Sequence, residues 1–334
     1  MRRAVVTGTG LYAPGRAIPN AEFNDRYGID VDTFLRENRN IRERHFMAAD
    51  QATSDLIVPA ARDALAEAGL EAADLDLIVV ATDTPDYVSP STAAVVQHKL
   101  GASNAGTFDV NTACAGFVTI TDMAWKYIAA DPGYTHILVV GAYGMSKYLD
   151  WDDHKLATLF ADGAGAAVIS AAEGDGAGGV LSSTLYAEGS FHDYMGIYAG
   201  GTAQPISAEA LERKDHLLRF VKKFPAETNP THWPRLIRQV LERIDREPAE
   251  VDRFFFTQIN IRSIEQTLDI LGVPHDRSHN VMDRFAYTGS ACIPMAMADA
   301  VDRRVLKQGD LVVLMGSGGG MAMAALAMEW GWDT

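Results

Sequence analysis

Ile137-Leu138-Val139-Val140-Gly141 is an apolar run closed by glycine, and Val312-Val313-Leu314-Met315-Gly316 repeats it, the second glycine standing 175 positions after the first. Short runs of this kind, rich in β-branched residues and ended by a turn former, read as strands buried on both faces. A second echo has nearly the same offset. Ser54-Asp55 opens a helical pattern with Leu56, Ile57, Ala60, Ala61 and Leu65 on one face and Gly69 as its stop, and Leu75-Asp76 then leads into the strand Leu77–Ala81. A helix around Trp233–Ile244 likewise precedes Val251-Asp252 and the strand Arg253–Phe256, with Asp252 176 positions after Asp76. Two unrelated landmarks in the same order at the same offset predict an internal duplication, with halves 1–175 and 176–334. Alternating strands and helices in each half predict an α/β architecture with mostly parallel sheets. The stretch from about Ser183 to Pro230 is rich in Gly, Tyr and His and weakly periodic, and reads as a loop-and-helix insertion near a site entrance.

Composition narrows the function. The 334 residues are 48% hydrophobic and 22% charged, an ordinary globular balance. No apolar run is long enough for a membrane-spanning helix, and Met1-Arg2-Arg3-Ala4-Val5-Val6 leads directly into a strand rather than a signal-peptide core, so a cytoplasmic location is expected. The 44 acidic against 29 basic residues give a net charge of −15, which repels nucleic acid and anionic membranes. It also repels acidic partners unless cations gather locally, as they do in sequence at Arg213, Lys214, Arg219, Lys222, Lys223, Arg235 and Arg238. That cluster reads equally as an anion site or a solvated helix face. Two cysteines make a disulfide framework unlikely to be what holds the chain together. His275 and His279 lack further ligand spacing, and the Gly-rich runs fit neither nucleotide fingerprint, so no metal and no cofactor is expected.

Chemistry concentrates in Thr107-Phe108-Asp109-Val110-Asn111-Thr112-Ala113-Cys114-Ala115-Gly116-Phe117. A strand ends near Val110, small residues flank the cysteine, and a helical run starts at Gly116. A thiol at a helix N-terminus meets unsatisfied amides and the positive dipole end, which favour the thiolate that attacks thioesters. A second glycine run, Gly316-Ser317-Gly318-Gly319-Gly320, follows the last buried strand, where a backbone amide can approach a carbonyl oxygen closely.

Several words occur in order: Ile41-Arg42-Glu43-Arg44, Asp50-Gln51-Ala52-Thr53-Ser54, Ala81-Thr82-Asp83-Thr84-Pro85-Asp86-Tyr87, Pro90-Ser91-Thr92-Ala93, Thr112-Ala113-Cys114-Ala115-Gly116-Phe117 and Phe160-Ala161-Asp162-Gly163-Ala164-Gly165-Ala166. Together they resemble the β-ketoacyl-acyl-carrier-protein synthase III family of the thiolase superfamily, strongly to about residue 170 and again from about 250 onward. The resemblance implies a thiolase fold, a duplicated five-layered α-β-α-β-α arrangement, and a homodimer. It also implies a ping-pong reaction in which an acyl group from acyl-CoA is loaded on Cys114 and then condensed with decarboxylating malonyl-acyl carrier protein. The amides of Cys114 and Gly319 are the implied oxyanion hole.

Two family partners of the cysteine are replaced. The histidine that stands before a Gln-Ala-Asn-x-Arg run is Thr257, before Gln258-Ile259-Asn260-Ile261-Arg262, and the asparagine four residues after an aspartate is Tyr287. Threonine and tyrosine each still donate a hydrogen bond, but losing one oxyanion donor typically costs ~100-fold or more in rate. Acyl capture on Cys114, with Thr257 and Tyr287 as its altered partners, is therefore expected to outlast malonyl decarboxylation. The substrate-binding positions implied by the resemblance are Phe34 and His154 for the adenine of coenzyme A, Asn260 and Arg262 near the site, and Ser89, whose small side chain should admit a longer acyl group. Glu265 and Asp269 occupy a helix that is often basic for carrier-protein docking. Cys292 reads as a small core residue, and His192 as a solvated loop histidine, with a substitute base as the alternative. The competing readings are an ordinary chain-initiating synthase, a thioester hydrolase, and a non-catalytic partner subunit. Retention of Cys114, Gly319 and Asn260 argues against the last.

Overall fold

The computed structural model describes residues 2–334 apart from 175 and 177. Nine strands build two sheets: β1 Arg3–Tyr12, β2 Leu77–Ala81, β3 Gly106–Val110, β4 His136–Gly144, β5 Asp162–Ala172, β6 Gly179–Ala187, β7 Arg253–Phe256, β8 Leu311–Gly318 and β9 Ala322–Glu329. Six longer helices flank them: α1 Thr53–Ala68, α2 Thr92–Leu100, α3 Gly116–Ala130, α4 Thr228–Glu242, α5 Ile261–Leu271 and α6 Cys292–Asp302. The first sheet runs β1-β5-β4-β2-β3 and the second β7-β8-β9-β6.

Read in matching direction, β1-β5-β4-β2 and β6-β9-β8-β7 are the same pattern, each with two antiparallel pairs followed by a parallel one. The duplication extends to single hydrogen bonds. The Asp76 carboxylate accepts from the amide of His136 at 2.9 Å, and the Asp252 carboxylate accepts from the amide of Leu311 at the same 2.9 Å. Both sheets are thus mixed, and parallel pairing is confined to β2 with its two neighbours and to β7 with β8. The parallel share is smaller than strand–helix alternation implied, because β9 returns from β8 without a crossover helix and so must run antiparallel.

Apolar side chains on alternating strand positions gather into three clusters across five layers, one of them spanning both sides of the middle layer. Leu77 and Val79 of β2 join Phe117, Ile120 and Ile293 in the middle layer of α3 and α6, facing Val312 and Leu314 of the other sheet. Ile78 and Val80 point the opposite way, onto Leu56, Ile57 and Val96 of α1 and α2. Beyond the second sheet, Val313 and Met315 pack with Trp233, Ile237 and Leu268 of α4 and α5. A strand covered on both faces needs apolar residues at every position, which explains the unbroken runs in the sequence.

The predicted insertion begins later than expected. Residues 183–187 complete β6, and the irregular segment follows it, with a small ribbon of Met195–Gly196 against Arg219–Phe220 and a short helix at Ala208–Glu212. No helix among the described residues is long and apolar enough to cross a membrane.

The middle layer tolerates no added bulk at Gly141, where a Cβ would stand 2.1 Å from the carbonyl oxygen of Ser290. Gly141→Ala should cost at least the ~1–3 kcal/mol typical of overpacking, read as a lowered urea midpoint with unchanged slope.

Candidate active site

β2 and β3 are parallel neighbours, with Ala81 opposite Val110, so the chain leaves both strands at the same end of the sheet. Ligands of open α/β sheets gather beyond such carboxyl ends. After β3 the chain makes the tight turn Ala113–Ala115 and enters α3, placing Cys114 between the two sheets. The equivalent turn Gly289–Ala291 precedes α6. Ala113 has a φ of 45° and its counterpart Gly289 a φ of 49°, so the left-handed turn is conserved across the duplication although one copy carries a side chain. In the second copy Ser290 takes the place of Cys114 and donates to the carbonyl of Ala142 at 2.7 Å.

Cys114 is 2% exposed and forms the floor of a pocket of about 310 Å³. Tyr287, Ser317, Gly318, Gly319, Asn260 and Met195 line the same pocket. The tail of β8 is pressed on the cysteine turn so tightly that a Cβ at Gly318 would lie 2.5 Å from the Cys114 amide nitrogen. Burial, first, and then the Asp83 carboxylate push the Cys114 thiol well above its ordinary value, and a hydrogen bond from Tyr287 pulls it partly back. The resting residue is therefore a neutral thiol, which corrects the thiolate that a helix N-terminus suggested. Desolvation of the anion outweighs the amides of the turn. The Tyr287 phenol is itself pushed well up, chiefly by burial, and remains protonated as a donor toward sulfur.

Thr257 is 1% exposed and stands behind the pocket wall rather than in it. Its hydroxyl oxygen accepts from the Ser317 amide at 2.9 Å, tying the end of β7 to the glycine tail of β8. Asn260 caps α5 and also receives the Arg39 guanidinium at 3.1 Å, while Arg262 lies outside the pocket, donating to Asn38 at 2.6 Å. Phe34 and His154 come together in an adjoining cavity of about 400 Å³ with Lys155. Arg39 and Leu159 line both cavities and join them. Ser89 follows the exposed Tyr87 and Val88 on a surface loop and lines neither cavity of its own chain.

The basic cluster dissolves on inspection. Lys214 pairs with Asp150 and Asp152, Lys222 with Asp193, and Arg213 and Arg219 with Asp215. Arg235 stacks over Tyr186, and Arg238 donates to the Ile270 carbonyl. Lys223 alone of the seven reaches the Cys114 pocket. His192 is exposed and absent from the pocket, and Cys292 is buried with its thiol pushed up to about 12 by desolvation, a core residue. No group of His, Cys, Asp and Glu among the described residues is placed to hold a metal. The sequence did not single out Asn229, which bonds Ser317 at 3.3 Å, or Phe220, Phe224 and Pro225, which wall the entrance. Their approach depends on how the irregular segment folds back.

A buried cysteine at the junction of two duplicated halves, beneath a glycine-rich strand end, defines a thiolase-fold transferase. Residues 108–189 match the family described as 3-oxoacyl-[acyl-carrier-protein (ACP)] synthase III, and residues 241–330 match its C-terminal family. A beta-ketoacyl-[acyl-carrier-protein] synthase III of Rhodobacter capsulatus is 37% identical over 98% of this chain and 99% of its own length. The crystal structure of the 3-oxoacyl-(acyl carrier protein) synthase III of Pseudomonas aeruginosa superposes with a TM-score of 0.89 at 30% identity, over 99% of each chain. The priming beta-ketosynthase of the R1128 polyketide pathway superposes at 0.86 with 27% identity, covering 100% of this chain and 98% of that one. The chain belongs to the 3-oxoacyl-acyl-carrier-protein synthase III family of the thiolase superfamily.

Because the Tyr287 hydrogen bond lowers the thiol, Tyr287→Phe should raise the Cys114 pKa further. Iodoacetamide labelling of Cys114 at a fixed pH near neutral is expected to slow about tenfold, the worth of a hydrogen bond to a charged group at the low end of its range. Labelling of both proteins should accelerate as pH rises, since the thiolate fraction grows through an elevated pKa.

Proposed function

We propose that the protein takes an acyl group from acyl-CoA, or from an acyl carrier protein, onto Cys114 and passes it to an acceptor other than decarboxylating malonyl-acyl carrier protein. The observation that carries this reading is that only one of the two partner positions, Tyr287, presents a donor to the sulfur. Tyr287 directs its phenol at Cys114, and Thr257 has its oxygen engaged by Ser317 and sits outside the pocket. Decarboxylation of a malonyl thioester develops negative charge on the thioester oxygen and needs donors aimed there. Acylation needs a thiolate and an oxyanion site, for which the amides of Cys114 and Gly319 are the candidates beside the β8 tail. The acceptor is then an amine, alcohol, thiol or activated carbon.

In this reading coenzyme A lies along the joined cavities, with its adenine against Phe34, whose ring already carries the Arg39 guanidinium 5.4 Å from its centroid. Asp269 on α5 is paired with His275, and Glu265 adds a second acid, so that face does not invite an acidic carrier protein. A homodimer is part of the proposal. β3 is an edge strand of the first sheet, and Val88, 91% exposed, stands on the loop that ends in Ser89. Any influence of Ser89 on acyl length would then be exerted on the partner's pocket.

Intact-mass analysis after incubation with acetyl-, butyryl- and octanoyl-CoA should show one acyl adduct on wild-type protein and none on Cys114→Ala. Adding malonyl-acyl carrier protein should release carbon dioxide at least ~100-fold more slowly than an ordinary synthase does. Carbon dioxide release at an ordinary rate would return the protein to chain initiation, and adduct decay to free acid would make it a hydrolase.

A further inference from the structure

One acidic group acts on Cys114 from behind its pocket, outside the side chains that line it. Asp83 lies two residues beyond Ala81 at the end of β2, and Cys114 four residues beyond Val110 at the end of the parallel neighbour β3. Thr82 donates its amide to the Val110 carbonyl at 3.2 Å, which keeps the two chain segments together as they leave the sheet. The turn bearing Cys114 rests directly on this end of β2, where a Cβ added at Gly116 would lie 2.7 Å from the Ala81 Cβ.

Neighbouring carboxylates are fully engaged. Asp86 accepts from the Ser54 amide at 2.9 Å and its hydroxyl at 2.6 Å, and Asp162 accepts from the amides of Met47 and Ser146, each at 2.8 Å. Asp83 differs. Its Oδ1 is sealed from solvent with no hydrogen-bond partner. The groups that interact with it are Cys114 from the turn before α3, Tyr143 near the end of β4, and Tyr148 from the segment that follows. Around Cys114 itself stand Tyr287, Tyr143 and Cys292, and Asp162 is felt at Tyr143. No cation enters this set. The carboxylate takes a hydrogen bond from its own backbone amide, which leaves Oδ1 alone unpaired. A sealed carboxylate oxygen with neither hydrogen bond nor counter-ion is costly, and sites that keep one commonly use it.

We propose that Asp83 is the proton acceptor for Cys114 during acyl loading. The inference rests on the reading of Cys114 as the acyl-carrying nucleophile. Cys114–SH and Asp83–COO⁻ become Cys114–S⁻ and Asp83–COOH, so the pocket holds one negative charge before and after. No second anion is created in a desolvated space, and the neutral acid no longer repels the thiolate that Tyr287 supports. The Tyr143 phenol feels the charge of both groups. The thiolate then attacks the thioester carbonyl, a new sulfur–carbon bond forms, and the bond to the coenzyme A sulfur breaks. The departing thiolate takes up one proton, and Asp83 returns to carboxylate.

The test is Asp83→Asn, read by two rates that a merely structural role would move together. Removing the carboxylate removes a charge that raises the Cys114 pKa, so iodoacetamide labelling near pH 7 should become severalfold faster. Acyl loading from acetyl- or butyryl-CoA, followed by intact mass, should instead become about 100-fold slower, as expected for loss of a general base. Burial pushes the Asp83 carboxyl up to about 6, so wild-type loading should also rise through an inflection near that pH as Asp83 ionises, and the inflection should vanish in Asp83→Asn. Both rates unchanged, both rates lowered, or no inflection in the wild-type profile between pH 5 and 7 would each overturn the proposal. If no acyl-CoA loads the wild-type protein, the functional reading has failed, and the labelling rates still report whether Asp83 and Cys114 are coupled.

Discussion

Two short turns, Ala113–Ala115 and Gly289–Ala291, are pressed together in the narrow space between the sheets, and the rest of the molecule is arranged around their contact. Backbone meets backbone here. The Ser290 carbonyl occupies the place a side chain at Gly141 would take, and the Cys114 amide occupies the place of one at Gly318. Close packing of this kind has no slack, so volume changes are transmitted rather than absorbed. The same compression that closes the core also seals a thiol from water, and the chemistry follows from that sealing.

Desolvation is the largest influence on Cys114, on Tyr287 and on Tyr143, and in each case it favours the neutral form. If Cys114 is the nucleophile proposed above, it cannot depend on resting ionisation. It needs donors to stabilise the anion and a place for its proton. Tyr287 supplies the first, and in our proposal the Asp83 carboxylate, with one oxygen sealed and unpaired, supplies the second. The net charge of −15 has little direct part in this, because the nearby surface cations are taken up by their own acidic neighbours. At the mouth of the pocket the recognition surface is mainly apolar, with Phe220, Phe224 and Met195 beside Lys223 and Arg39.

The duplication places different side chains on two matching turns. The second turn carries Ser290, whose hydroxyl is spent on the Ala142 carbonyl, and β8 places its glycine tail against the first turn. A single half would offer a cysteine with no partner strand above it. The tight approach of Gly318 to the Cys114 amide exists because sheets from both halves enclose the same middle layer.

Much of this was legible in the sequence. Strands buried on both faces advertise themselves as unbroken apolar runs, so Leu77–Ala81 and Arg253–Phe256 could be read to the residue, and a repeated offset of 175 to 176 positions exposed the duplication before any coordinates. Cys114, Thr257 and Tyr287 were singled out in the same way, because motifs are local. What the sequence could not give was distance and solvent. Helix position suggested an ionised thiol, and burial reversed it. The cations between residues 213 and 238 looked like one patch, and folding gave most of them separate partners. Thr257 and Asp83 changed places in importance: the threonine turned its oxygen to the Ser317 amide, while the aspartate kept an oxygen sealed and unpaired. Periodicity and order along the chain fix which layers form, since they record burial one residue at a time. Protonation and partnership are set by the few ångströms between residues far apart in sequence, and only the assembled core decides those.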